Sequence, residues 1–91
     1  MTRAEVVYRL APVYPAAAQA RGIEGWVKLA FTVTKEGRTR DIRILAADPP
    51  GVFNQSAIDT VSRLRYRPET VNGRPVDAEG YTVLLRYELP E

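Results

Sequence analysis

From Trp26 to Thr34 the sequence alternates with a period of two: Val27, Leu29, Phe31 and Val33 fall on one side, Lys28, Ala30 and Thr32 on the other. Successive side chains of a strand point to opposite faces of a sheet, so this pattern demands a half-buried strand and does not suit a helix. The same period returns near the end, where Tyr81, Val83, Leu85, Tyr87 and Leu89 alternate with Thr82, Leu84, Arg86 and Glu88. Lys35-Glu36-Gly37-Arg38 offers a tight reversal after the first strand, and Ile42, Ile44 and Ala46 resume the alternation, which predicts a β-hairpin. Asp48-Pro49-Pro50-Gly51 ends the second strand, because proline removes ladder donors.

The periodicity changes between the strands. Pro15 suits a first helical position, Ala16 to Arg21 favours helix and Gly22 can cap it, giving a helix of about two turns. Phe53, Ala57, Val61 and Leu64 form an apolar stripe with Ile58 beside them, while Asn54, Gln55, Asp59 and Arg63 lie opposite. This second helix is expected to run to about Tyr66, where the arginines 63, 65 and 67 suit the helix dipole and Pro68 blocks continuation. Asn72-Gly73 signals a type I′ turn in a small β-ribbon, with Pro75 limiting the strand after the turn. Val6-Val7-Tyr8 is β-prone, but Pro12 and Pro15 soon come after it. Residues 1–13 are therefore expected as an extended N-terminal arm and residues 14–91 as the domain. The predicted class is α+β: a three-stranded antiparallel sheet with two helices packed on one face, in the order α-β-β-α-β.

Composition narrows the chemistry. Ninety-one residues, 45% of them apolar, suit a single core. Without cysteine or histidine the chain has no disulfide, no thiolate metal site and no neutral-pH proton shuttle, so no metal, cofactor or catalytic group is expected. Asp41 with Glu36, and Asp77 with Glu79, read as solvated turn and rim residues rather than acid–base pairs. No nucleophile, base and orienting group assemble from nearby motifs, which argues against an enzyme and a small-molecule substrate. A net charge of +2 is too small for a dedicated nucleic-acid binder, and no nucleic acid is expected as partner. Met1 to Glu5 lacks the apolar stretch of a secretory signal, so any anchor or export segment is expected outside this sequence. Tyr14 reads as a staple before the first helix, and Trp26 as a cover for the sheet face opposite Val27 and Phe31.

Pro12-Val13-Tyr14-Pro15, the run Ala16 to Gly25 and Val27 to Val33 together resemble the opening of the TonB C-terminal domain family. Lys35-Glu36-Gly37-Arg38 is similar to the family's hairpin turn. Phe53 through Arg65-Tyr66-Arg67-Pro68 resembles its second helix with an aromatic-x-Pro ending, and the final strand also fits. The resemblance runs from about Tyr8 to Leu89, with Ala11 standing where enteric members carry glutamine and the stretch Glu69 to Gly80 longer than theirs.

That resemblance implies the periplasmic domain of an inner-membrane-anchored energy transducer, driven by proton-motive force through ExbB and ExbD. The implied partner is the TonB box, an extended peptide of outer-membrane transporters for siderophores, cobalamin and similar nutrients. It also implies where the peptide binds: beside the last strand, Tyr81, Thr82, Val83, Leu84, Leu85, Arg86, Tyr87, Glu88 and Leu89, with Arg9, Leu10, Ala11 and Pro12 of the arm. An edge strand exposes unpaired N–H and C=O groups that accept an added strand, so the side chains of Tyr81, Val83, Leu85 and Tyr87 remain core while the backbone binds. Arg9 and Arg86 add rim charge. The same edge is open to its own copy, which leaves a homodimer open as well. A TolA-like or peptidoglycan-associated envelope domain and a small nucleic-acid binder are the alternatives that this architecture leaves open.

Overall fold

The computed structural model describes residues 1–90; Glu91, the last residue of the expected domain, lies outside the described residues. Its elements are β1 (Glu5–Tyr8), α1 (Ala16–Ala20), β2 (Gly25–Val33), β3 (Thr39–Asp48), α2 (Asn54–Ser62), β4 (Arg65–Arg67), β5 (Glu69–Val71), β6 (Arg74–Val76) and β7 (Ala78–Tyr87). The main sheet is antiparallel with the order β3-β2-β7, while β1 pairs with β4 and β5 with β6 in two small ribbons. Both helices pack on one face of the main sheet, as the α+β pattern predicts: Ala18 of α1 and Ala57 and Val61 of α2 join Val27, Leu29, Phe31 and Val33 in one cluster.

The apolar face of β2 enters the core as predicted, while on the opposite face only Lys28 is exposed and Ala30 and Thr32 are buried as well. Val27, Leu29 and Val33 are fully buried, and across the ladder Leu29 faces Val83 while Phe31 faces Tyr81. Burying each such side chain contributes about 1.5–3 kcal/mol. Aromatic rings close both ends of the core. At one end Phe53 and Tyr87 stack at 4.2 Å with Tyr14 edge-on to both, at 5.6 and 5.8 Å. At the other, Phe31 lies 5.8 Å from Tyr66 and 6.4 Å from Tyr81. These are the offset and edge-to-face separations that aromatic quadrupoles favour.

Helix α1 is shorter than expected, because Pro15 stands at the N-cap rather than inside the first turn. Its C-terminus is a Schellman motif, with Ile23 N–H donating to the Ala18 carbonyl at 2.9 Å and Gly22 N–H to the Gln19 carbonyl at 3.2 Å. Helix α2 also stops early, at Ser62 instead of near Tyr66. Arg65-Tyr66-Arg67 is taken into β4, where Val6 pairs with Tyr66 and Glu5 with Arg67. The arm supplies a partner strand on one side of β4, while the Tyr66 N–H donates to the Gly37 carbonyl on the other.

The Asn72-Gly73 ribbon forms as predicted, with φ of 53° and 77° at its two central residues. In β3, by contrast, alternation breaks twice. Leu45 is an extra residue between the pairs Lys28–Ala46 and Leu29–Ile44, and Asp41, at φ 54°, lies in a second irregularity between Ala30–Arg43 and Thr32–Arg40. Ala46, expected beside Ile44 on the core face, therefore faces outward, and Ala47 takes the inward place opposite Val27. The last strand is displaced too: β7 begins at Ala78 and ends at Tyr87, so Glu88 and Leu89 lie past it. The Leu89 amide donates to the Glu24 carboxylate at 2.6 Å, and β2 starts only at Gly25, which leaves the ladder nothing to continue on.

Gly37 links hairpin and ribbon. It sits at φ 83° in the β2–β3 turn, its carbonyl accepts the Tyr66 N–H at 2.8 Å, and a Cβ there would collide with the Tyr66 carbonyl. Gly73 has a similar φ and open space around it. Gly37→Ala should cost about 2–3 kcal/mol, adding displacement of β4 to the strained backbone, whereas Gly73→Ala should cost about 1 kcal/mol. Denaturant midpoints at unchanged slope measure both; equal losses would remove the role assigned to the Gly37–Tyr66 contact.

Candidate functional site

Among the described residues β7 has β2 on one side and no strand on the other, so its outer backbone is an open edge. Its inward residues Tyr81 and Tyr87 are buried, Val83 and Leu85 are half-buried, and Thr82, Leu84 and Arg86 are exposed. Beside this edge runs the arm. Arg9, Leu10, Ala11 and Pro12 share a groove of about 620 Å³ with Thr82, Val83, Leu84 and Leu85, and Val6, Leu64 and Tyr66 complete it. The structure thus brings the expected arm residues and the middle of the expected strand together. The side chains of Tyr81 and Tyr87 enter the core as expected, whereas Glu88 continues beyond the strand end and Leu89 is held aside by Glu24.

The position of the arm is set by the two buried tyrosines of β7. At one end the Tyr81 hydroxyl accepts the Ala4 N–H at 2.8 Å and donates to Glu69 Oε2 at 2.7 Å, with the Arg3 guanidinium 4.8 Å above the ring. At the other end the Tyr87 hydroxyl donates to Ser56 Oγ at 3.0 Å, and Ser56 donates to the Val13 carbonyl at 2.5 Å. Next in sequence, the Tyr14 hydroxyl donates to the Ile23 carbonyl and its ring packs edge-on against the stacked Phe53 and Tyr87, so it rests on the core as expected. Between these anchors, residues 9–13 make no ladder with β7. Burial pushes the phenols of Tyr66, Tyr81 and Tyr87 above their ordinary range, and at Tyr81 the Glu69 carboxylate adds to that shift.

Sequence reasoning missed Val6, Leu64 and Tyr66 as groove residues; of the three only Tyr66 carried a signal, the aromatic-x-Pro ending Tyr66-Arg67-Pro68. The arginine cluster is dispersed: Arg67 pairs with Glu5 at 3.2 Å and Arg65 bonds the Leu64 carbonyl at 3.0 Å. Among the described residues no three Asp, Glu, His or Cys side chains gather as metal ligands, and no helix is long and apolar enough to cross a membrane.

The family described as Gram-negative bacterial TonB protein C-terminal matches residues 11–89. Protein TonB of Pseudomonas aeruginosa is 43% identical over 65 residues, covering 71% of this chain and 19% of that protein. Protein TonB of Klebsiella pneumoniae is 36% identical over 83 residues, covering 91% of this chain and 32% of that protein. The chain therefore spans a third or less of the length of these curated relatives. The solution NMR structure of the Pseudomonas aeruginosa TonB CTD superposes with a TM-score of 0.83 at 32% identity, over 100% of this chain and 91% of that one. The TonB2 protein of Vibrio anguillarum superposes at 0.72 and 34% identity, over 98% of this chain and 84% of that one.

A phenol whose pKa is raised by folding stabilises the native state fully below the unfolded value near pH 10, and that contribution is lost as pH climbs through the raised value. Stability should therefore fall above about pH 10, with the late part of the phenolate absorbance appearing together with loss of the fold. Tyr81→Phe and Tyr87→Phe should each reduce that late amplitude; Tyr81→Phe should also speed hydrogen exchange at the Ala4 amide, because its acceptor is gone. An unchanged Ala4 exchange rate would show that the arm is held by other contacts.

Proposed function

Because the chain belongs to the TonB C-terminal domain family, we propose that it is the periplasmic adaptor of an energy transducer, binding the TonB box of outer-membrane transporters by strand addition to β7. The observation that carries this reading is the open β7 edge lying beside an arm pinned at both ends, with a groove between them. A peptide entering there finds free backbone donors and acceptors along Thr82 to Arg86 and an apolar floor at Val83 and Leu85. Backbone hydrogen bonds depend little on the peptide's side chains, which suits one adaptor serving several transporters. Arg9, in the groove, and Arg86, at the strand end, contribute charge at the rim, where it acts mainly on association rate and salt dependence.

The reading extends to the whole protein. A segment in the inner membrane and a spacer across the periplasm would tether this domain, with ExbB and ExbD delivering the proton-motive force. A pull along an added strand loads its hydrogen bonds with β7 in shear, all together, and β7 passes the load directly into β2. No reaction is catalysed: the protein holds and transmits.

A synthetic TonB-box peptide should shift the amide resonances of residues 81–87 most, with those of residues 9–12 next. Shifts confined to β3 or to residues 63–67 would rule the edge out. Proline scanning across Thr82 to Arg86 sharpens the test, since only alternate residues of an edge strand point their N–H outward. Proline at those positions should abolish peptide binding with the fold retained, while alanine at the same positions should weaken binding by less than about tenfold, or about 1.4 kcal/mol.

A further inference from the structure

We propose that the N-terminal arm is a strap whose latch, outside the groove, sets how long an added strand stays on β7, a role that rests on the β7 pairing proposed above. The arm is held at its start and at its end. At its start Thr2 and Thr70 exchange both backbone hydrogen bonds, at 3.1 Å each, and their hydroxyls meet at 2.7 Å. The Ala4 N–H donates to the Tyr81 hydroxyl at 2.8 Å, Arg3 covers that ring, and Glu5 and Val6 pair with Arg67 and Tyr66. At its end Ser56 holds the Val13 carbonyl and Tyr14 packs on the core. Between these points, among the described residues, Arg9 to Pro12 pair with no strand, although they form the wall of the groove they share with Thr82 to Leu85.

A segment without a ladder of its own keeps its place only through its anchors, because ordering it costs conformational entropy that those contacts must offset. The two anchors are unequal. The Tyr14 end is tied to Phe53 and Tyr87 in the core, whereas the Thr2–Thr70 hydroxyl contact and the Glu5–Arg67 ion pair lie at the surface. Local opening therefore begins at Thr2 and swings the wall about Tyr14. A strand lying in the groove touches that wall, so an open latch strips one side from its site, and a retained strand keeps the latch closed. The linkage is reciprocal: whatever factor latch closure adds to peptide affinity, the peptide adds to latch closure. Glu69, which accepts from the Tyr81 hydroxyl, and Thr70 lie in the stretch Glu69 to Gly80, longer here than in enteric members of the family. The latch is thus built from a part of the chain that the family resemblance does not account for.

An engineered disulfide closes the latch reversibly. The chain has no cysteine, and residues that exchange both backbone bonds across an antiparallel pair have Cα atoms about 5.5 Å apart, within the span a disulfide bridges. In the variant Thr2→Cys with Thr70→Cys, a synthetic TonB-box peptide should dissociate on the order of fivefold more slowly when the pair is oxidised than when it is reduced. Its association rate should change less. A second variant, Thr2→Pro with Glu5→Lys, removes one latch donor and makes the contact with Arg67 repulsive, and should quicken dissociation by a similar factor. In the unmodified chain the peptide should slow hydrogen exchange at the Thr70 amide, which donates to the Thr2 carbonyl and lies outside the groove. Dissociation and Thr70 exchange that stay unmoved while β7 amides shift would overturn the strap and leave edge pairing standing. An oxidised pair that blocks binding or speeds release would show the closed arm to be an obstacle, and would overturn it too. No β7 shift with the unmodified chain would overturn both readings.

Discussion

The domain depends on the burial of β2. It is the one strand of the main sheet paired on both sides, and the side chains on its inner face are sealed from water by the helices. Its register with β3 and β7 fixes which residues of those strands enter the core, because a slip of one residue would turn every apolar group outward. A three-stranded sheet with a single interior strand necessarily presents two edges. The functional reading follows from that constraint, since the surface available to a partner is what the burial of β2 leaves unpaired.

β7 serves the core and the exterior at once. Tyr81 and Tyr87 put their rings into the two aromatic clusters and turn their hydroxyls toward the arm, Tyr81 directly to the Ala4 amide and Tyr87 through Ser56 to the Val13 carbonyl. Core packing at each end of the strand thereby sets where the arm lies, and the groove between them takes its shape from interior contacts. This division uses the amphipathic character of tyrosine, an apolar body with a polar tip. A substitution inside the domain can thus alter the edge without touching it.

Much of this was legible in the sequence. Period-two alternation located β2 and β7, the apolar stripe located α2, and Asn72-Gly73 located the ribbon turn. What stayed hidden was non-local. Arg65-Tyr66-Arg67 reads equally well as the end of a helix until Glu5–Tyr8, far away in sequence, arrives to pair with it. The irregularities at Leu45 and Asp41 have no signal in composition, so simple alternation puts Ala46 on the wrong face. Alternation through Leu89 outruns the strand because periodicity cannot know where a neighbour begins. As for the candidate site, three alternating strands imply two edges, yet periodicity alone does not choose between them; the family resemblance did. Trp26 could be placed on the outer face, but its proximity to Leu84 required the register.

The irregularities of β3 bear on how many molecules can associate. Its outward side is interrupted at Leu45 and again at Asp41, and such bulges twist an edge away from the flat geometry that a further strand needs. β7 is regular from Tyr81 to Tyr87. The β7 edge is therefore regular and the β3 edge blunted, which works against copies of the domain joining edge to edge through both sides of the sheet. A sheet with one regular edge and one bulged edge exposes a bare strand without offering the two matching edges that an open-ended fibre requires.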